Sequence, residues 1–238
     1  MESFRMDPTP QPAATVVPLR TGNRRMEVLL LRRNPALAFH GGAWVFPGGR
    51  VDPEDRLQAG DDADPLAPAR WAAVREAQEE AALNLLPERL VPHSRWTTPP
   101  GFPRRFVAWI FLTEAETSGV RVDGGEIHEH RWMSPEAALM AHETAGLPLP
   151  PPTFITLVSL SGMKTPEEAL RSAAARKPRH FVPRILEIPG GRCSLYPGDA
   201  GYAARDLNRA GPRHRLWMNG KPWRYECTID DAKNGECE

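Results

Sequence analysis

Three glutamates, Glu76, Glu79 and Glu80, stand at spacing i, i+3 and i+4 in the segment REAQEE. On a helix this spacing places the three carboxylates on one face, close enough to repel one another. A divalent cation would remove the repulsion, and oxygen ligands of this kind favour Mg²⁺ or Mn²⁺. Glutamate-rich helix faces are also common on protein surfaces. The cluster alone therefore leaves a metal site and a solvated face both open.

A double-glycine stretch, Pro47-Gly48-Gly49, follows the short apolar strand candidate Ala43–Phe46. Glycine lets the backbone approach a ligand closely and present amide or carbonyl groups to it. We therefore expect a turn here, with Gly48 and Gly49 as substrate-binding residues that face the carboxylates.

The two segments together resemble the signature of the Nudix hydrolases. That signature has a glycine, five residues, an acidic residue, seven residues and then REuxEExGu, in which u is aliphatic. Gly49 and Asp55 match its first half and Arg75–Glu80 its second half, whereas Ala82 replaces the last glycine. Nineteen residues separate Asp55 from Arg75, so we expect a surface loop inserted into the signature. Loop closure costs little more as a loop lengthens, and the insertion need not disturb the site.

The resemblance implies a Nudix fold of the α/β (α+β) class, a mixed β-sheet sandwiched between helices. It implies a hydrolase acting on phosphorus-containing anhydrides, which cleaves the pyrophosphate bond of a nucleoside diphosphate linked to a second group. Mg²⁺ or Mn²⁺ would be the cofactor, held by Glu76, Glu79 and Glu80. Such an ion neutralises phosphates and lowers the pKa of an attacking water. Arg75 could orient one carboxylate through a bidentate pair.

The general base must lie within hydrogen-bond reach of the water. It could come from the cluster itself, as Glu79 or Glu80, or from a loop. Glu126 in GGEIHEHRW is the loop candidate and Glu129 the second choice; each could equally be a plain turn residue. Arg104 and Arg105, after a proline-rich turn, could clamp a substrate phosphate, or they could be solvated arginines at a strand edge.

The interrupted signature resembles one branch of the family, the peroxisomal coenzyme A diphosphatases and their bacterial relatives. The stretch LLLRRNPALAFHGGAWVFPGG fits the motif of that branch in part, with Asn34 and Ala38 as departures. The resemblance implies coenzyme A or acyl-CoA as substrate. ADP-ribose or NADH remains an alternative substrate. A non-catalytic nucleotide sensor is an alternative of another class, although such a protein would be expected to lose the glutamates.

Hydrophobic patterning predicts the elements that position these residues. Apolar runs at 13–19 and 26–31 predict a hairpin, and 105–112 and 130–133 predict further strands, with a short one at 120–122. Helix formers predict a helix over 68–86. Ser134 before Pro135 predicts a helix N-terminus. The segment 152–160 is predicted to form a further helix.

The domain prediction has three parts. Residues 1–12 form a flexible N-terminus, 13–162 the Nudix domain with its insertion at about 56–68, and 163–238 a β-rich extension packed on the core. A hairpin with a Pro-Gly-Asp turn is expected at 180–202. The extension could act as a lid, as the contact of a homodimer or as a stabilising layer. The final KNGECE is expected to be disordered.

Composition restricts the partners. Thirty basic and thirty acidic side chains give a net charge of zero, which argues against a nucleic-acid binder. No apolar run is long enough to span a membrane. Three scattered cysteines without a CxxC pair favour a reducing cytoplasmic location over a disulfide framework. A small-molecule nucleotide is the expected partner.

Overall fold

The structure is a computed structural model that describes residues 7–23, 25–37, 40–60, 64–115 and 119–229. The final segment KNGECE, which was predicted to be disordered, lies outside these ranges. The first half of the N-terminal segment that was predicted to be flexible also lies outside them. Residues 7–12 of that terminus contact the rest of the protein. Gln11 and Pro12 begin the first strand, and the Asp7 carboxylate accepts a hydrogen bond of 2.9 Å from the amide of Gly101.

A mixed eight-stranded sheet forms the centre of the fold. Its order is β3-β2-β1-β6-β5-β8, with β4 paired to β1 and β7 paired to β2. The β1–β6 and β5–β8 pairs are parallel and the others antiparallel. The strands are β1 (Gln11–Thr21), β2 (Met26–Arg33), β3 (Trp44–Val45), β4 (Gly48–Arg50), β5 (Val91–Thr97), β6 (Phe106–Glu114), β7 (Ile127–Met133) and β8 (Arg179–Phe181).

Helices cover both faces of the sheet, as predicted. They are α1 (Pro53–Ala59), α2 (Ala67–Ala81), α3 (Pro135–Thr144), α4 (Pro151–Leu160) and α5 (Pro166–Ala174). Alternate residues of a strand point to opposite faces, so Val16 packs with the alanines of α2 while Val17 packs with α3, α4 and α5. None of the described helices is long and apolar enough to cross a membrane.

The predicted elements agree with the structure where the hydrophobic pattern is regular. The β1–β2 hairpin, the long helix α2 and the Ser134 N-cap of α3 are all present. The segment 120–122 contains no strand, a prediction that was wrong. The expected inserted loop was partly wrong, because α1 occupies its start and α2 begins at Ala67. Asp52 and Asp55 form a capping box that starts α1.

The C-terminal extension forms a second, four-stranded antiparallel sheet. It consists of β9 (Arg184–Ile188), β10 (Gly191–Leu195), β11 (His214–Met218) and β12 (Arg224–Cys227), in the order β12-β11-β10-β9. The predicted hairpin is present, but Pro189-Gly190 joins its strands and Pro197-Gly198-Asp199 lies beyond it. Phe181, Tyr196 and Leu216 join the hydrophobic cluster that contains Val17, so the extension shares the core.

Helix α2 ends at Ala82, which adopts the left-handed conformation with φ 54° and donates its amide to Gln78. Glycine is the usual residue at such a position because a Cβ is strained there. We expect Ala82→Gly to stabilise the protein by about 0.5–1 kcal/mol and Ala82→Val to destabilise it, with turnover unchanged in both. Urea denaturation measures both variants. Equal stability of all three proteins would show that the helix end carries no strain.

Candidate functional site

Helix α2 presents its glutamates to β4 because its other face is committed to the sheet. The segment APARWAAVREAQEEA is rich in alanine, a strong helix former. Buried alanines, including Ala73 and Ala77, allow the helix to pack closely on β1 and β6. The glutamates therefore lie on the side of the helix that faces the edge of β4, and Glu76, Glu79 and Glu80 all line one cleft.

Arg75 organises the carboxylates around it. Its guanidinium donates to both oxygens of Asp55, from Nε and Nη2, at 3.1 Å each. Its Nη1 donates to Glu76 at 3.0 Å and to Glu79 at 3.1 Å. The hydrogen bonds to Asp55 are the main reason that the pKa of Arg75 is raised. The bidentate pair was predicted with a carboxylate of the cluster, but it forms with Asp55, the acidic residue of the first half of the signature, across the insertion.

Glu80 is the most enclosed of the three glutamates. It is only 6 % exposed, and its Oε2 accepts a hydrogen bond of 3.0 Å from the amide of Gly48. Burial raises the pKa of Glu80 to about 8, the Gly48 amide opposes this shift, and the charges of Glu76 and Glu126 add to it. Burial is also the main reason that the pKa of Glu76 is raised. The site therefore favours a positive partner.

The double glycine forms strand β4 where a free turn was expected. Gly48 and Gly49 pair with Thr15 and Ala14 of β1. Close approach still requires glycine at position 48, because a Cβ there would lie 2.4 Å from the Ala14 carbonyl, and a Cβ on Gly49 would lie 2.1 Å from the Glu76 carboxylate and displace it. Both glycines line the cleft.

The donor chemistry of the cluster fits a hard divalent cation. Its ligands would be carboxylate oxygens, and a cation would favour ionisation of the buried Glu80. In the part of the chain that the structure describes, no group of three or more histidine, cysteine, aspartate or glutamate side chains is arranged to hold an ion as it stands. Glu76 and Glu79 accept hydrogen bonds from Arg75, and Glu80 accepts one from Gly48. A cation would have to replace these contacts, and the three ligands remain a prediction.

The loop before β7 brings Glu126 to the rim of the same cleft. Its carboxylate lies 3.6 Å from Arg33 and its side chain is 64 % exposed. The Asp123 carboxylate accepts from the amides of Glu126 and Ile127, at 2.9 Å each. The side-chain amide of Asn34 donates to the Gly125 carbonyl at 2.9 Å. The backbone amide of Asn34 donates to the Glu126 carbonyl at 2.7 Å. These contacts hold the loop at the rim of the cleft, where the charge of Glu126 acts on Glu80.

The other predicted residues divide between cleft and surface. Arg104 is exposed and lines the cleft. Arg105 also lines it, but its guanidinium donates at 3.1 Å to the carbonyls of Thr98 and Pro8, so it holds the proline-rich turn against the N-terminus. Glu129 pairs with Arg131 at 2.7 Å and is not among the described cleft residues.

The cleft has a volume of about 1600 Å³, larger than the pockets that usually hold drug-sized ligands. None of the described residues of the insertion lines it. Sequence reasoning missed Asp123 and Asn34, which position the Glu126 loop. The sequence Asp123-Gly124-Gly125 is a turn signal that could have indicated Asp123. Asn34 enters the sequence argument only as a departure from the motif of one branch.

Comparison with known proteins assigns the family. The profile of the NUDIX domain matches residues 9–150, more than half of the chain. A Caenorhabditis elegans protein provisionally named nudix hydrolase 7 is 24 % identical over 228 residues, covering 80 % of this chain and 74 % of that protein. A Schizosaccharomyces pombe protein provisionally named as a nudix hydrolase is 34 % identical over 102 residues, 42 % of this chain and 30 % of its own length.

A solved structure shows the same fold. The crystal structure of a NUDIX hydrolase from Alicyclobacillus acidocaldarius superposes with a TM-score of 0.61 at 26 % identity, covering 68 % of this chain and 96 % of that one. The chain therefore belongs to the Nudix family, and it is a hydrolase that acts on pyrophosphate bonds. Nudix hydrolases use divalent metal ions and small nucleotide substrates.

Proposed function

We propose that the protein is a Mg²⁺- or Mn²⁺-dependent Nudix diphosphatase that hydrolyses coenzyme A or acyl-CoA. The observation that carries the proposal is a single large cleft in which Arg75 gathers the α2 carboxylates beside β4, with Glu126 at the rim. The choice of coenzyme A is supported by the resemblance to the branch with an interrupted signature and by a cleft large enough for an extended substrate.

Each residue of the cleft has a role in this proposal. Glu76, Glu79 and Glu80 would hold the ion, which supplies charge neutralisation and a water of lowered pKa when bound. Arg33, 3.6 Å from Glu126, and Arg104 would bind phosphate oxygens. The absence of side chains at Gly48 and Gly49 would let the pyrophosphate approach the backbone of β4 closely. Water adds to one phosphorus while the bridging P–O bond breaks, which divides coenzyme A into 4′-phosphopantetheine and 3′,5′-ADP.

Product analysis tests the proposal. Purified protein is incubated with coenzyme A, ADP-ribose or NADH, each with Mg²⁺ or Mn²⁺, and the phosphorylated products are separated by chromatography. Release of 4′-phosphopantetheine and 3′,5′-ADP is the expected result. Cleavage of ADP-ribose or NADH alone would support pyrophosphate hydrolysis and contradict coenzyme A as the substrate. Absence of turnover with every compound would favour a nucleotide sensor.

A matched pair of glutamates tests the base. We expect Glu126→Gln to lower kcat about 100-fold with a smaller effect on KM, because it removes a proton acceptor at the rim beside Glu80. Glu129→Gln should change kcat less than about twofold, since Glu129 is paired with arginines away from the cleft. Steady-state kinetics measures both. Equal losses in the two variants would show that Glu126 has no special role.

A further inference from the structure

The C-terminal extension forms one wall of the cleft, opposite the carboxylates. Side chains from β9, β10, β11 and the turn before β12 line it, among them Ile185, Met218 and Trp223. They belong to residues 163–238, the segment for which the sequence left a lid, a dimer contact and a stabilising layer open. Their position inside the cleft points to a direct role toward substrate.

The two ends of the cleft differ in charge. Its acidic lining residues all fall between Asp52 and Glu126, around the α2 cluster. In the described part of the extension, the only charged residue on the lining is Arg192, which pairs with Glu187 at 2.9 Å. Pro151 and Pro152 at the start of α4 continue the apolar surface. With the proposed cation on its carboxylates, the acidic end of the cleft suits phosphates, whereas the other end suits an uncharged group.

Strand register gives the separation of the two ends. Arg50 of β4 pairs with Ala13 of β1, Ala13 with Ala108 of β6, and Ala108 with Trp96 of β5. All four residues line the cleft. Three strand spacings correspond to about 14 Å, so only an extended group attached at the pyrophosphate end reaches the extension.

The shape of the wall favours an aliphatic chain over a stacked ring. One face of the Trp96 ring is covered by Phe181, with ring centroids 4.1 Å apart. Trp223 is held by His142 and Phe154, at 4.7 Å and 5.4 Å. Ile185 and Met218 line the cleft and are partly exposed. The unbranched thioether side chain of Met218 adapts to flexible apolar ligands.

We propose that Ile185, Met218 and Trp223 form a specificity-determining subsite for the apolar end of the uncharged arm that the substrate carries beyond its pyrophosphate. This inference rests on the proposed function, in which that arm is the pantetheine chain with its acyl group. The C-terminal sheet selects the arm, while the α2 cluster acts on the pyrophosphate.

The test compares coenzyme A with octanoyl-CoA, which have the same phosphates and differ only in the arm. Octanoyl-CoA should have the higher kcat/KM, by at least about tenfold, because burial of methylene groups favours binding. Met218→Asp should reduce the ratio to below about threefold, whereas Met140→Asp should leave it unchanged. Met140 is an exposed residue of α3 outside the cleft. Thermal denaturation checks that both variants are folded, and Ile185→Asp provides a second test.

Calorimetric binding of the same two compounds in EDTA separates this inference from the proposed function. Tighter binding of octanoyl-CoA than of coenzyme A, with the difference lost in Met218→Asp, supports the subsite even if neither compound is hydrolysed. Equal binding and equal kcat/KM for the two compounds would overturn the subsite while hydrolysis of coenzyme A still stood.

Discussion

Replacement of Glu80 by glutamine should abolish turnover while making the metal-free protein more stable. The loss of turnover, about 1000-fold, is expected because Glu80 is one of the three proposed metal ligands and no neutral amide can replace an ionised ligand or base. The gain in stability is expected because Glu80 is buried with a pKa of about 8. Between pH 4.5 and 8 the unfolded chain releases a proton that the folded protein retains.

The sign of the pH dependence follows from this difference. A folded state that binds more protons than the unfolded state loses stability as pH rises. We therefore expect native protein in EDTA to lose stability between about pH 4.5 and 8, with Glu76 adding to the slope because its pKa is also raised. At pH 8, Glu80→Gln should be more stable than native by on the order of 2 kcal/mol.

Denaturant unfolding at pH 5 and pH 8 measures the effect, and kinetics with the best pyrophosphate substrate measures turnover. Glu88→Gln is the matched control, because Glu88 is exposed and lies outside the cleft. It should change neither property. A Glu80→Gln protein that is less stable than native at pH 8 would contradict the proposed burial of a protonated acid. Retained turnover would remove Glu80 from the site.

Loss of the Asp199 carboxylate should be the most destabilising single change in the extension. Asp199 and Arg215 form a buried bidentate ion pair, with Nε–Oδ2 and Nη2–Oδ1 distances of 2.8 Å and 2.7 Å. The carboxylate also accepts from the amides of Gly201 and His214, at 2.8 Å each. Asp199→Asn would turn an amide group toward a guanidinium that is 1 % exposed. An unpaired buried charge costs about 3–5 kcal/mol.

An exposed ion pair on the same sheet provides the control. Arg192 and Glu187 lie 2.9 Å apart with side chains 60 % and 73 % exposed, so Glu187→Gln should cost less than about 0.5 kcal/mol. Urea denaturation compares the two variants. Similar small costs would show that the Asp199 pair is unimportant for stability, whereas recovery in Asp199→Leu/Arg215→Met would show that the unpaired charge causes the loss.

Acidification provides a second measurement on the same pair. Burial opposes ionisation of Asp199, but the hydrogen bonds from Arg215, His214 and Gly201 outweigh it and lower the pKa of the carboxyl. The contribution to stability is therefore full above the unfolded pKa, near 4, and is lost as pH falls through the lower folded pKa. The loss of stability on acidification should be smaller in Asp199→Asn than in native protein. The pH dependence from Asp199 is opposite in sign to the one from Glu80, because the pKa of Asp199 is lowered and that of Glu80 is raised.

Local patterns in the sequence were sufficient for β1, β2, β6, the helix α2, the start of α3 and the chemistry of the cluster, but not for β5, α1 or α5. The nearly continuous apolar runs of β1 and β2 indicate strands buried on both faces, and the period of two in side-chain direction then divides their residues between the two layers. Helical spacing likewise places Glu76, Glu79 and Glu80 together wherever the helix packs. The family signature belongs to this local class of information, since it specifies residues by their spacing along the chain.

Tertiary packing decided which partners meet. The pairing of Asp55 with Arg75 across the insertion, the arrival of Glu126 beside Glu80, and the wall that the extension adds to the cleft all join segments distant in sequence. No local period records such contacts, because they depend on strand order and on how the layers pack. The sequence by itself therefore indicated the class of reaction and supplied its candidate carboxylates, whereas only the tertiary structure decided how these carboxylates are held and what else lines their cleft.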